Sequence, residues 1–109
     1  MATVSRKKKS RGKKAEAARW TFLTNHSHVM ICLALEPDMT MREVSDRVGI
    51  TERSVQRILA ELEAGGYIER ERSGARNTYV FRRKSPLRHP VEEHCTIGDL
   101  VEMVEKKRK

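Results

Sequence analysis

From Trp20 onward the apolar positions fall into blocks whose spacing changes from one block to the next. Val29 to Leu35 (VMICLAL) is apolar without interruption, so neither a helical nor a strand period shows. Thr24 or Asn25 can cap a helix there. Pro37 ends it near Glu36, because proline lacks the amide a helix needs and clashes with the preceding turn. A helix carrying this run must be buried on every side, which requires either later elements of the same chain or a second subunit.

Next, Thr40-Met41-Arg42-Glu43 has the spacing of a capping box, after which Met41, Val44 and Val48 share one face. Gly49 closes that short helix, and Thr51 opens another from Glu52 to about Ala64. Here Val55, Ile58, Leu59 and Leu62 keep the i, i+3, i+4, i+7 spacing of a core-facing stripe. At about 100° per residue, Arg53, Arg57, Ala60 and Ala64 lie opposite, with Gln56 at the flank.

Gly65-Gly66 stops the helix, and Tyr67 to Arg72 (YIERER) alternates as a strand, with Ile68 toward the core and Glu69 and Glu71 on the other side. Ser73 to Asn77 is expected as the hairpin loop and Thr78 to Phe81 as the returning strand. Arg82 to Cys95, with Pro86 and Pro90, is expected as an irregular connection. Thr96-Ile97-Gly98-Asp99 repeats the look of a capped start, followed by Leu100, Val101 and Val104 at helical spacing. A helix of about ten residues is marginal alone, so this one should dock on the domain or on a partner.

Charge divides the chain differently. Of the 23 Lys and Arg residues, eight lie in residues 1–19: Arg6, Lys7, Lys8, Lys9, Arg11, Lys13, Lys14 and Arg19. Only one of the 15 acids, Glu16, lies with them, so seven of the eight units of net positive charge belong to this tail. Self-repulsion should keep it disordered, and each phosphate it neutralises would release counterions. A nucleic-acid arm is the favoured use; an anionic membrane would attract it as well, and a solubilising tail is the plainer alternative.

No stretch approaches the roughly 18 apolar residues of a membrane span, and no apolar segment follows the basic start as a signal peptide requires. Cys32 and Cys95 form no disulfide framework. The expectation is a cytoplasmic protein associated with the nucleoid and making no use of the membrane.

His26, His28, His89, His94 and Cys95 lack zinc-site spacing. There is no Gly-rich phosphate loop, nucleophile elbow or isolated carboxylate pair. No enzyme, metal or cofactor is expected.

The run from Glu43 to Phe81, EVSDRVGITERSVQRILAELEAGGYIERERSGARNTYVF, is more specific. Its Val-Gly-Ile-Thr turn, Ser-Val-Gln-Arg helix start and Leu-Glu-x-x-Gly-Tyr-Ile passage into a basic hairpin resemble the winged helix-turn-helix of MarR, ArsR and Lrp-type transcriptional regulators. The implied fold class is α+β, mainly α: a winged helix-turn-helix with a two-stranded wing and a short C-terminal helix. Residues 1–19 would be the arm, 20–84 the DNA-binding domain, and 85–109 a connection and terminal helix available for dimerisation.

The resemblance implies that Thr51, Glu52, Arg53, Ser54, Gln56 and Arg57 enter the major groove. Arginine pairs bidentately with guanine and glutamine with adenine, so Arg53, Gln56 and Arg57 are the candidates for base reading. Thr51 and Ser54 suit phosphate oxygens, and Ala60 and Ala64 would let the backbone pass closely. Arg70, Arg72, Arg76 and Asn77 are the wing candidates, with Arg82, Arg83 and Lys84 extending the basic edge.

MarR-type regulators have longer flanking helices that build a dimer and a ligand pocket; this chain has one short terminal helix and little room for a pocket. The Cys-x-Cys metal motif of ArsR sensors is absent. Whether a small-molecule effector is sensed stays open.

The function expected is sequence-specific binding of double-stranded DNA by a homodimer that regulates transcription through operator occupancy. An architectural or RNA-binding winged helix and a protein-interaction winged helix are the alternatives.

The charge division predicts that deleting residues 1–14 flattens the salt dependence of duplex binding, by up to about 0.9 in the logarithmic slope for each phosphate that the tail neutralises. Equilibrium titrations of full-length and truncated chain across a salt series measure it.

Overall fold

Thr24 begins the first ordered element of the computed structural model, which describes residues 20–74 and 76–108. The arm candidates Arg6, Lys7, Lys8, Lys9, Arg11, Lys13 and Lys14 lie outside the described residues. Helix α1 spans Asn25–Leu35, and the extended Thr24 accepts the amide of Ser27 at 3.3 Å on its hydroxyl. Helix α2 spans Met41–Val48 and opens on the full reciprocal cap: the Glu43 amide donates to the Thr40 hydroxyl at 3.1 Å, and the Thr40 amide to the Glu43 carboxylate at 2.9 Å. Gly49 closes α2 at φ 88°, a left-handed geometry that side chains resist.

Helix α3 spans Glu52–Ala64, with the Thr51 hydroxyl accepting the Ser54 amide at 3.0 Å. Strands β1 (Ile68–Ser73) and β2 (Arg76–Phe81) pair antiparallel from Ile68↔Phe81 to Ser73↔Arg76. The expected loop from Ser73 to Asn77 is thus too long. Arg72 pairs with Asn77 and Ser73 with Arg76, leaving two residues at the tip, where Gly74 takes φ 65°. A glycine with positive φ lets the chain reverse tightly enough for the ladder to run to its end.

Helix α4 spans Ile97–Arg108 and starts on the expected cap, the Asp99 amide donating to the Thr96 hydroxyl at 3.1 Å and the Thr96 amide to the Asp99 carboxylate at 2.9 Å. The architecture is the winged helix: helices with a two-stranded antiparallel wing.

The uniform apolarity of α1 follows from its position. Val29, Cys32 and Leu33 join Val44 of α2, Val55, Ile58 and Leu59 of α3, and Ile68 of β1 in the main core. Met30 turns the other way, onto Ile97 and Val101 of α4. The same chain buries Val29, Met30, Cys32 and Leu33, while Ile31 and Leu35 stay half-buried, so the burial expected on every side is only partly met. Burial also pushes the Cys32 thiol up, as befits a core packing residue.

The connection from 82 to 96 is irregular but tied down. The Arg82 amide donates to the Tyr67 carbonyl at 2.9 Å, and those of Leu87, Ile97 and Gly98 to the carbonyls of Cys95, Ser85 and Arg83, each at 2.9 Å. The Tyr67 hydroxyl reaches the Pro86 carbonyl at 3.2 Å. A Cβ on Gly98 would lie 2.7 Å from the Arg83 carbonyl oxygen, a backbone atom that cannot rotate away.

Gly98→Ala is therefore expected to destabilise the fold by about 1–3 kcal/mol, the usual cost of overpacking. Urea unfolding measures the loss, and hydrogen exchange should show it concentrated in α4.

Candidate nucleic-acid interface

The buried stripe of Val55, Ile58 and Leu59 fixes which way α3 faces. Arg53, Gln56, Arg57, Ala60 and Ala64 are all exposed, as the helical spacing requires. One flank of α3 meets α1, where His26 Nε2 lies 2.6 Å from Glu61 Oε1. The other flank meets the wing, where Arg70 sits 4.0 Å from Glu63. Between α3 and the wing runs a cleft of about 460 Å³, lined by Thr40, Gln56, Ala60, Arg70 and Asn77 among others.

The candidates of the first turns have different surroundings. The Thr51 hydroxyl is used by its own helix: it accepts the Ser54 amide and donates to the Ser54 hydroxyl, each at 3.0 Å. Ser54 is half-buried, and Glu52 is exposed at the helix start. Arg53 has no ionic or hydrogen-bond partner among the described residues. Arg57 is engaged by Glu61 one turn along, at 3.3 Å.

In the wing, Arg72 Nε donates to the Gly74 carbonyl at 3.2 Å, and among the described residues no acid pairs with its guanidinium. Asn77 is exposed opposite Arg72. Arg76 pairs with Ser73 at the last rung of the ladder.

The basic edge beyond the wing is largely matched by acids. Arg82 pairs with Glu69, and Arg83 with Glu105 of α4 at 3.2 Å. Glu61 and Glu63 place negative charge on the C-terminal half of α3, where the helix dipole is already negative. The first two turns of α3 differ from it, with Arg53 and Gln56 exposed beside the single acid Glu52.

A second cleft, about 700 Å³, opens between α1, the end of α3 and the connection, lined by His26, Glu61, Tyr67, Arg88, His89 and Glu92 over Met30, Leu62 and Ile97. The little room expected for a pocket is thus exceeded, because the connection folds back as a wall. Among the described residues no three His, Cys, Asp or Glu side chains gather as a metal site, and no helix is long and apolar enough to cross a membrane.

Sequence reading singled out the arginines of α3 and not Glu61. It missed the link to His26, which lies 35 residues away and carries no periodic signal. The hydrogen bond from His26, followed by the positive charge of Arg57, holds the Glu61 carboxyl below its ordinary range. A carboxyl with a depressed folded-state pKa contributes stability above its unfolded value and loses it as pH falls through the folded one. Glu61→Gln is therefore expected to shed part of the acid-dependent destabilisation of the chain below the normal carboxylate range, read by thermal melts across acidic pH.

A family model described as MarR family matches residues 22–76, half of the chain, from the residues before α1 to the hairpin tip. No curated protein matches the chain. The matched segment holds the capped helix pair, the exposed face of α3 and the first strand of the wing, and with this fold the chain belongs to the MarR family of winged-helix transcriptional regulators.

Proposed function

We propose that the chain binds double-stranded DNA in a sequence-specific way and regulates transcription by occupying its operator. The observation that carries this reading is the exposed pair of Arg53 and Gln56 on the first turns of α3, beside a wing whose Arg72 is exposed and has no acidic partner among the described residues. A major groove about 12 Å wide admits one helix, and these side chains have the donor patterns for guanine and adenine edges. Arg57 joins them once its guanidinium is turned toward the groove. The wing tip, with Arg72, Arg76 and Asn77, would lie along the neighbouring backbone, and the basic arm would add affinity without sequence preference.

Two copies would act together, each presenting one α3 to a half-site. Trp20, Phe22, Val91 and Met103 are large apolar side chains left exposed outside the core, which supports association of copies in the cytoplasm at the nucleoid.

Selection of bound sequences from a random duplex pool tests the reading, with fluorescence anisotropy on the winners. A palindrome with half-sites about one helical turn apart is expected. Arg53→Ala should cost about 1–3 kcal/mol on the selected duplex and little on random duplex. Equal affinity for selected and random duplex would favour an architectural protein, tighter binding to structured RNA an RNA-binding one, and no nucleic-acid binding a protein-interaction domain.

A further inference from the structure

Glu61 is shared between two elements. Its Oε1 lies 2.6 Å from His26 Nε2 on α1, and its Oε2 lies 3.3 Å from Arg57 Nη1 on α3. The core does not need this bridge, because α1 and α3 already meet through Val29, Leu33, Val55 and Ile58. All three side chains are about half exposed, at 41% for His26, 50% for Glu61 and 58% for Arg57, so the bridge lies at the surface on the α1 flank of α3, and Arg57 is its one member on the outward face. Its effect is to hold the Arg57 guanidinium toward the C-terminal half of α3, away from the turns that carry Arg53 and Gln56.

We propose that Glu61 is a positioning residue for DNA reading by Arg57, and that His26 sets how firmly it holds Arg57. This rests on the DNA-binding role proposed above. A neutral imidazole donates one hydrogen bond to Glu61 and leaves the carboxylate charge available to Arg57. A protonated imidazole pairs with that charge and weakens the hold, so Arg57 swings out toward a base or phosphate. Acidification through the histidine range therefore strengthens specific binding, and DNA, by drawing Arg57 away, favours protonation of His26.

The groups facing this bridge are few. Arg88, His89 and Glu92 line the same cleft from the connection, with Tyr67 before β1, while α4 contributes only Ile97. On α1 itself, His28 is turned to Asn25 at 3.2 Å. The His89 ring accepts the Val91 amide at Nδ1 at 3.1 Å, within its own loop. Comparing the chain with His26→Gln, which retains an amide donor but does not titrate, separates His26 from these other groups.

The full chain, His26→Gln, Glu61→Gln and Arg57→Ala are titrated by anisotropy with a duplex selected from a random pool and with random duplex, from about pH 5 to 8 at fixed salt. The preference of the unmodified chain for the selected duplex should rise about two- to fivefold on acidification, the scale of an exposed ion pair, and stay flat in the other three. Glu61→Gln at high pH should match the unmodified chain at low pH. Coincident profiles for the unmodified chain and His26→Gln, or a slope that survives in Arg57→Ala, overturn the proposal and leave the DNA-binding role standing. No preference for any selected duplex overturns both. The DNA-free readout is the NMR signal of the Arg57 guanidinium, which should move on acidification of the unmodified chain and stay in place in His26→Gln; an unmoved signal in the unmodified chain also overturns it.

Discussion

The contact of Val55, Ile58 and Leu59 on α3 with Val29 and Leu33 on α1 sets the rotation of α3 about its own axis. A helix has only one angle left to choose once its position is given, and here apolar burial chooses it. Each such side chain contributes roughly 1.5–3 kcal/mol when buried, so turning α3 by even one residue step would expose part of the stripe and sink an arginine. The outward aim of Arg53 and Gln56 is a by-product of that choice. Helix α1 performs this service from inside the fold, with Met30 covered by α4 on its far side. It packs against each of the other three helices.

How much of this could be read from residues alone depended on whether a signal was local. The starts of α2, α3 and α4 were legible because Thr40, Thr51 and Thr96 each sit three residues before the group whose backbone amide their hydroxyl accepts, within a single turn. The α3 stripe was legible because its period is unbroken. The run VMICLAL was not decisive, since a helix covered by its own chain and one covered by a partner carry the same pattern. The loop expected from Ser73 to Asn77 is too long, because Arg76 and Asn77 look like turn residues until the ladder is seen to run to Ser73 and Arg76, with Gly74 at positive φ beside it. At the site, exposure of Arg53, Gln56 and Arg57 followed from spacing, while the engagement of Arg57 by Glu61 and His26 depended on how α1 crosses α3.

Electrostatically the folded part is close to neutral by count, yet its charges are sorted. Acids on α3, β1 and α4 face cations from the same or neighbouring elements: Glu61 with Arg57, Glu63 with Arg70, Glu69 with Arg82, Glu105 with Arg83. Exposed pairs like these add little stability. Their greater effect is to cancel charge locally, so that Arg53 at the front of α3 stands without a paired acid among the described residues. A polyanion approaching the domain would be oriented by this contrast before any specific contact formed.

The chain that leaves the wing does not depart from it. After β2, the backbone is bonded to Tyr67 at the foot of the hairpin, and Arg83 holds α4 twice, through its carbonyl to Gly98 and through its guanidinium to Glu105. The foot of the wing and the start of α4 are therefore tied at Arg83, so a disturbance of that residue reaches both at once.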